Sequence, residues 1–153
     1  MSGIYKVPFN YTGTGPLDLV ELNPSASQPL LLLGFTIFQT SDFGDAAEEG
    51  QELTLETGNS TSGSGGASAT PVSTYTDGGA AGFTAEMGNT TPASGGTNVE
   101  RGRWGWNVRM EKEKMHTEAE QIKIAAGVRG VFRLKGTSAD SLTIRGELII
   151  QEV

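Results

Sequence analysis

The chain has 153 residues, enough for one domain that buries roughly two-thirds of its unfolded surface. A net charge of −7 argues against nucleic acid as a main ligand, because phosphate binding needs a concentrated basic surface; a solubilising acidic exterior is the expectation. With no cysteine, neither a disulfide framework nor thiol chemistry is open to it.

The opening Met1-Ser-Gly-Ile-Tyr-Lys-Val-Pro8 lacks the apolar run of a signal peptide. The longest apolar stretch, Leu30-Leu-Leu-Leu33 followed by Gly34-Phe35, is far too short to cross a bilayer. The expectation is therefore no membrane partner and synthesis in a cytoplasm, which the protein leaves only inside a larger particle.

No window of eleven or more residues sustains a 3.6-residue apolar period, so little helix is expected. Residues 4–9 favour strand, but Pro8 cannot donate to a ladder, which predicts an edge strand or an extended arm over residues 1–16. Tyr5, Lys6, Phe9 and Tyr11 are that arm's candidate partner-binding side chains. Residues 17–22 form a strand through Leu17, Leu19 and, after a slip at Val20, Leu22. Residues 30–40 read as a central strand, with Gly34 at a bulge or a close approach. Residues 41–50 are acidic and turn-like, with room for a short helical turn at 45–49, and residues 51–57 alternate through Leu53 and Leu55.

Residues 58–82 are rich in Gly, Ser and Thr, a composition that cannot bury enough apolar surface to offset its ordering entropy. A long flexible loop is predicted there, followed by a short strand at 83–87 and another loop at 88–98.

Residues 99–111 supply the apolar centre. Trp104, Trp106, Val108 and Met110 alternate with Arg103, Gly105, Asn107, Arg109 and Glu111, the period of a half-buried strand. Each tryptophan can remove roughly 150–250 Å² from water. Residues 112–121 read as a charged, mobile connection, and 122–125, 128–134 and 142–153 as the last three strands. The sum is an all-β, single-domain antiparallel β-sandwich, jelly-roll-like, of about eight strands with long Gly/Ser/Thr-rich loops and no evident internal repeat.

Chemical motifs are sparse. His116, the only histidine, sits among charged residues and predicts an exposed loop position, without recognisable triad or metal partners. Asp42, Asp45, Glu48 and Glu49 could hold a hard cation through oxygens, but they lack the twelve-residue calcium-loop pattern, so a solvated turn is favoured. Asp42-Phe43-Gly44 has none of the motifs that accompany a kinase signature. Gly63-Ser-Gly-Gly66 and Gly13-Thr-Gly15 lack the following lysine or helix start of a phosphate loop. The two tryptophans would make a sugar-stacking platform if exposed, although their alternation with polar residues favours the core. The triplets beginning at Asn10, Asn59 and Asn89 match a glycosylation acceptor but carry little weight without a secretion signal. Lys112 and Lys114, beside Arg109 and balanced by four glutamates, read as a solvated loop or as a contact with a neighbouring subunit. No catalytic, cofactor-binding or metal-binding residue is assigned.

Three stretches carry a family resemblance: Leu31-Leu-Leu-Gly-Phe-Thr-Ile37, Trp106-Asn-Val-Arg109, and Thr137-Ser-Ala-Asp-Ser-Leu-Thr-Ile-Arg-Gly-Glu-Leu-Ile-Ile-Gln-Glu-Val153. From about Pro29 to Val153 the chain resembles small, cysteine-free virion structural proteins of phages and prophages, built as jelly-roll sandwiches. The resemblance implies a capsid decoration (cement) protein with no enzymatic activity and no cofactor. It would be a homotrimer at three-fold positions, with the major capsid protein as its partner. A departure from the family is the long Gly/Ser-rich stretch at 58–82. The alternative is a tail- or fibre-associated module that binds a carbohydrate or receptor.

Overall fold

The computed structural model of the chain describes residues 3–42 and 49–153. The acidic turn expected at 45–49 lies outside these residues except for Glu49. Among the described residues there are twelve strands: β1 (Ile4–Gly13), β2 (Leu17–Asn23), β3 (Leu30–Gln39), β4 (Gly50–Thr57), β5 (Ala67–Ala69), β6 (Val72–Ser73), β7 (Thr84–Asn89), β8 (Val99–Asn107), β9 (Lys112–Met115), β10 (Ile122–Ile124), β11 (Gly130–Leu134) and β12 (Leu142–Glu152). One short 3₁₀ turn, Glu118–Glu120, is the only helical element among the described residues, and no helix there is long and apolar enough to cross a membrane.

The strands form two antiparallel sheets packed face to face as a β-sandwich. Sheet A runs β10-β3-β12-β1-β6, with β9 also on β3; sheet B runs β5-β7-β2-β11-β4-β8. The inner faces carry the alternating apolar positions of each strand: Val7 and Phe9, Phe35 and Ile37, Leu148 and Ile150 from sheet A, and Leu53, Leu55, Phe132 and Leu134 from sheet B. Phe132 joins the layers, with its ring 5.0 Å from Phe35 and 6.0 Å from Phe9.

Two of the three register irregularities fall where the sequence alternation breaks. In β2, Val20 faces Phe132 while Asp18 faces Arg133, so Leu19 is the extra residue of a bulge, matching the slip at Val20. In β3, Gly34 pairs with Ile149 and Leu32 with Ile150, which makes Leu33 the extra residue. A side chain on Gly34 would lie 2.5 Å from the Lys114 carbonyl oxygen, so β9 can pair only against a glycine.

Several expectations are corrected. Of the two alternatives for the N-terminal segment, the strand is present and the extended arm is not, because β1 pairs with β12 along its whole length and buries Tyr5, Val7 and Phe9. Its other edge meets only the two residues of β6. The Ile4 carbonyl accepts from Thr74 on that side, so by alternation the ring nitrogen of Pro8 faces the unpaired edge, where a missing donor does no harm. Residues 112–121 are not a mobile connection: β9 pairs with β3, and Glu118–Glu120 makes a capped turn. Met110 lies past the end of β8, in a turn closed by the Met110 N–H to Asn107 bond, and is 68 % exposed. Strands β5 and β6 lie inside the stretch expected to be a flexible loop.

These positions predict opposite responses to truncation. Phe9→Ala should lower the unfolding free energy by about 3–5 kcal/mol through a core cavity, and Met110→Ala by no more than about 0.5 kcal/mol. Urea denaturation of both variants checks the placement of β1 in the core.

Candidate functional site

The outer face of sheet B is wetted at the β8 edge but covered over its centre. Two rows of side chains cross its strands: Asn89, Asp18, Arg133, Thr54 and Arg103 in one, and Glu86, Glu21, Val131, Glu56 and Glu100 in the other. Asp18, Glu21 and Glu56 are all buried. Buried carboxylates are tolerable only when cations and donors surround them. Arg129 Nε donates to Glu21 at 2.6 Å, Arg133 donates to both Asp18 and Glu56, and Lys135 reaches Glu56 at 2.8 Å. Although burial alone would raise the pKa of Glu56, hydrogen bonds from Lys135 and Asn98 and the charge of Arg133 hold it below the usual carboxylate range. For Asp18, burial outweighs the Arg133 and Ala93 bonds and raises the value.

What buries these groups is a pair of loops, one within the stretch expected to be flexible and the other the loop expected at 88–98. Gly58-Asn-Ser-Thr-Ser-Gly-Ser-Gly-Gly66 and Gly88-Asn-Thr-Thr-Pro-Ala-Ser-Gly-Gly96 are thirty residues apart and identical at six of nine positions, so the chain does contain an internal repeat. The copies pair antiparallel: Thr61 and Ser94 exchange backbone hydrogen bonds at 2.9 and 3.1 Å, and Ser64 and Thr91 at 2.9 and 3.0 Å. Antiparallel pairing of two like segments exchanges them about an approximate two-fold axis. The fifth residue after each opening glycine, Gly63 in one copy and Ala93 in the other, donates its N–H to a β2 carboxylate: Gly63 to Glu21 at 2.9 Å, Ala93 to Asp18 at 2.6 Å. Gly58 (φ +98°) and Gly96 (φ +66°) meet so closely that a side chain on Gly96 would lie 2.3 Å from the Gly58 carbonyl oxygen. The Asn59 and Asn89 side chains are buried in this clasp, so of the three acceptor triplets only Asn10 presents an exposed asparagine.

A second feature lies at the other edge of the sandwich. Residues 74–82 leave β6 and arch over the start of β1 and the end of β12, enclosing a groove of about 670 Å³. The Thr74 N–H donates to Ile4 at 2.9 Å, and the Tyr5 hydroxyl donates to the Ala80 carbonyl at 3.3 Å. The Gly82 N–H donates to Glu152 Oε1 at 2.5 Å. Tyr5 also packs edge-on against Phe83, with ring centroids 5.7 Å apart. Burial, followed by the charge and hydrogen bonding of Glu152, raises the Tyr5 pKa. Glu152, Gln28 and Asp77 are among the residues that line the groove, and none was singled out by sequence. The only signal for Glu152 was its position in a strand whose neighbours Ile150 and Leu148 point inward.

The predicted partner-binding residues do not converge. Tyr5 and Phe9 are core side chains, Tyr11 is half-buried against the core, and Lys6 is outward in an ion pair with Glu147 at 2.9 Å. Lys112 and Lys114 lie on β9, separated from β1 by β3 and β12. Lys114 pairs with Glu120 at 3.0 Å; hydrogen bonds from the Thr117 backbone, Lys114 and the Thr117 hydroxyl hold Glu120 down to about 2.

His116 is not an exposed loop residue. It is 8 % exposed, stacks on Trp104 with ring centroids 5.5 Å apart, and turns Nδ1 toward the Leu32 carbonyl at 3.3 Å. Burial lowers its pKa. Trp106 is buried and donates its indole N–H to the Met110 carbonyl at 2.8 Å. Among the described residues, no group of three or more His, Asp or Glu side chains is arranged to hold a metal ion.

No family model, curated protein or solved structure matches this chain.

Two predictions follow from the buried charges. Arg133→Met strands Asp18 and Glu56 without their shared cation and should destabilise the fold by about 3–5 kcal/mol. Adding Asp18→Asn and Glu56→Gln should recover part of that loss, as measured by chemical denaturation. For His116, the folded-state pKa lies below the unfolded value of 6.5, so the unfolded chain binds the proton first. Stability is then full above pH 6.5 and falls as the pH drops toward the folded value. Thermal denaturation between pH 7.5 and 5 should show that slope diminished in His116→Phe.

Proposed function

We propose that this chain is a non-enzymatic virion structural protein, a decoration (cement) subunit that binds the outside of a phage shell and stabilises it. The observation that carries the reading is the order in which strands pair. The first strand pairs with the last (β1 with β12), β2 with β11, β3 with β10 and β4 with β8. Such nested pairing, wrapped into two sheets, supports the reading of the sandwich as a jelly roll, an architecture used by viral capsid proteins, lectins and cupins. On this reading β5, β6 and β7 are an insertion between the fourth and fifth strands of the eight-strand frame. They account for the long segment that departs from the resembled family.

Fold does not fix function. The choice among jelly-roll roles rests on the resemblance carried by residues 31–37, 106–109 and 137–153. The first and last of these stretches fall on β3 and β12, adjacent strands at the centre of sheet A. The partners proposed are the major capsid protein and further copies of this chain, as a trimer at three-fold positions of the shell. Many copies on a repetitive lattice let weak individual contacts add up. The rival reading, a sugar-binding module, has less support: Trp106 is buried, and the partly buried Trp104 packs against Phe35 and His116.

The test is the copy number of this protein in purified particles from its source, by quantitative mass spectrometry against the major shell protein. Hundreds of copies in a simple ratio to shell subunits are expected. A handful per particle, or none, overturns the decoration role.

A further inference from the structure

We propose that the groove beneath residues 74–82 is a binding site for a basic side chain, guanidinium or ammonium, presented by an extended segment of a partner protein. This inference stands apart from the virion reading, since it concerns what the groove recognises and not where the protein resides.

The first support is charge. Glu152 is only 5 % exposed yet lines the groove, and its hydrogen bond from Gly82 engages Oε1. Among the described residues no cation lies within ion-pair distance of its carboxylate, in contrast to Asp18, Glu21 and Glu56, each of which has one. Asp77 adds a second carboxylate to the same wall, and the lining contains no Lys, Arg or His. A buried carboxylate without a cation beside it is an energetic liability that an incoming cation relieves.

The second support is the balance of hydrogen-bonding groups. The wall offers the carboxylates of Glu152 and Asp77, the Gln28 side chain and the carbonyls of Gly79 and Ala80. The Tyr5 hydroxyl brings one proton to be shared among those two carbonyls and Glu152, and the Gly82 N–H donates to Glu152. Acceptors therefore remain in excess, and a guanidinium, with five donors and no acceptor, complements them. Tyr75, 63 % exposed, also lines the groove and adds an aromatic ring where a cation would sit.

The third support points to a peptide as the carrier. Strand β6 ends sheet A, so the edge opposite β1 is unpaired, and Val72 beside it is exposed. An extended segment laid along that edge gains backbone hydrogen bonds while one of its side chains enters the groove, as in strand addition to a sheet edge.

The experiment is a nuclear magnetic resonance titration of the full chain with the blocked peptide acetyl-Thr-Val-Arg-Val-Thr-amide. Its controls are the same peptide with citrulline, the neutral isostere, in place of arginine, and arginine methyl ester alone. The arginine peptide should shift the amides of Val72, Tyr75 and residues 78–82 saturably. It should bind roughly tenfold tighter than the citrulline peptide, the ratio expected from one charge-assisted hydrogen bond. Arginine methyl ester should move the groove amides but leave Val72 unmoved. Asp77→Asn, on an exposed turn, and Glu152→Gln should each weaken the arginine peptide several-fold, with Asp77→Asn serving as the arm that leaves the core hydrogen bonds intact. Equal binding of the two peptides, shifts confined to another face, or affinity unchanged in both variants would overturn the proposal. A neutral oligosaccharide that moves these amides when the arginine peptide does not would overturn it too.

Discussion

Three carboxylates buried on the outward face of sheet B set the terms for much of the molecule. A strand's outer face normally meets water, and there Asp18, Glu21 and Glu56 would need no partners. Once covered, each must be matched by cations and N–H donors, because an ionised carboxylate without them is far more costly than any apolar gap. Arg129, Arg133 and Lys135 supply the charge, and the Gly63 and Ala93 N–H groups supply backbone donors. An ion network of this kind contributes to registry more surely than to net stability. It specifies where two glycine-rich loops must lie, which their own composition could not. The exposed Lys6–Glu147 pair, by comparison, is of the class that contributes roughly 0–1 kcal/mol.

The segment that follows the first of these loops laces one side of the sandwich. Strand β5 ends sheet B and β6 ends sheet A, yet only Thr70 and Pro71 separate them in sequence. The chain thus crosses between layers where both sheets would otherwise end in open edges, the places most prone to unwanted pairing. Residues 58–82 contribute to both flanks of this crossing: their first part supplies one of the two clasp loops and their last part the arch over the groove.

Period-2 alternation made most of the sandwich legible. Leu53 and Leu55, Leu142, Ile144, Leu148 and Ile150 are where their spacing places them, and the irregularities at Val20 and Gly34 are real bulges. Alternation fails where a chain turns or is covered from outside. Met110 continues the pattern of Trp104 and Trp106, but the strand stops at Asn107. His116 stands among charged residues, yet its ring finds Trp104 across the layer because Gly34 lets β9 come close. The clasp escaped a reading by composition because serine, threonine and glycine signal low burial one at a time. Only alignment of residues 58–66 with 88–96 shows a patterned unit. The groove was illegible for a different reason: Tyr5, Asp77 and Glu152 are scattered along the chain and only the sheet pairing assembles them.

The ordering of the clasp by buried carboxylates is tested most directly by amide hydrogen exchange, read residue by residue in the native protein. The Gly63 and Ala93 amides should be protected together, to a degree approaching that of the central strand β11, although both lie in hydroxyl- and glycine-rich loops. Exchange of these two amides at the rate of an unstructured peptide, with β11 still protected, would contradict the account.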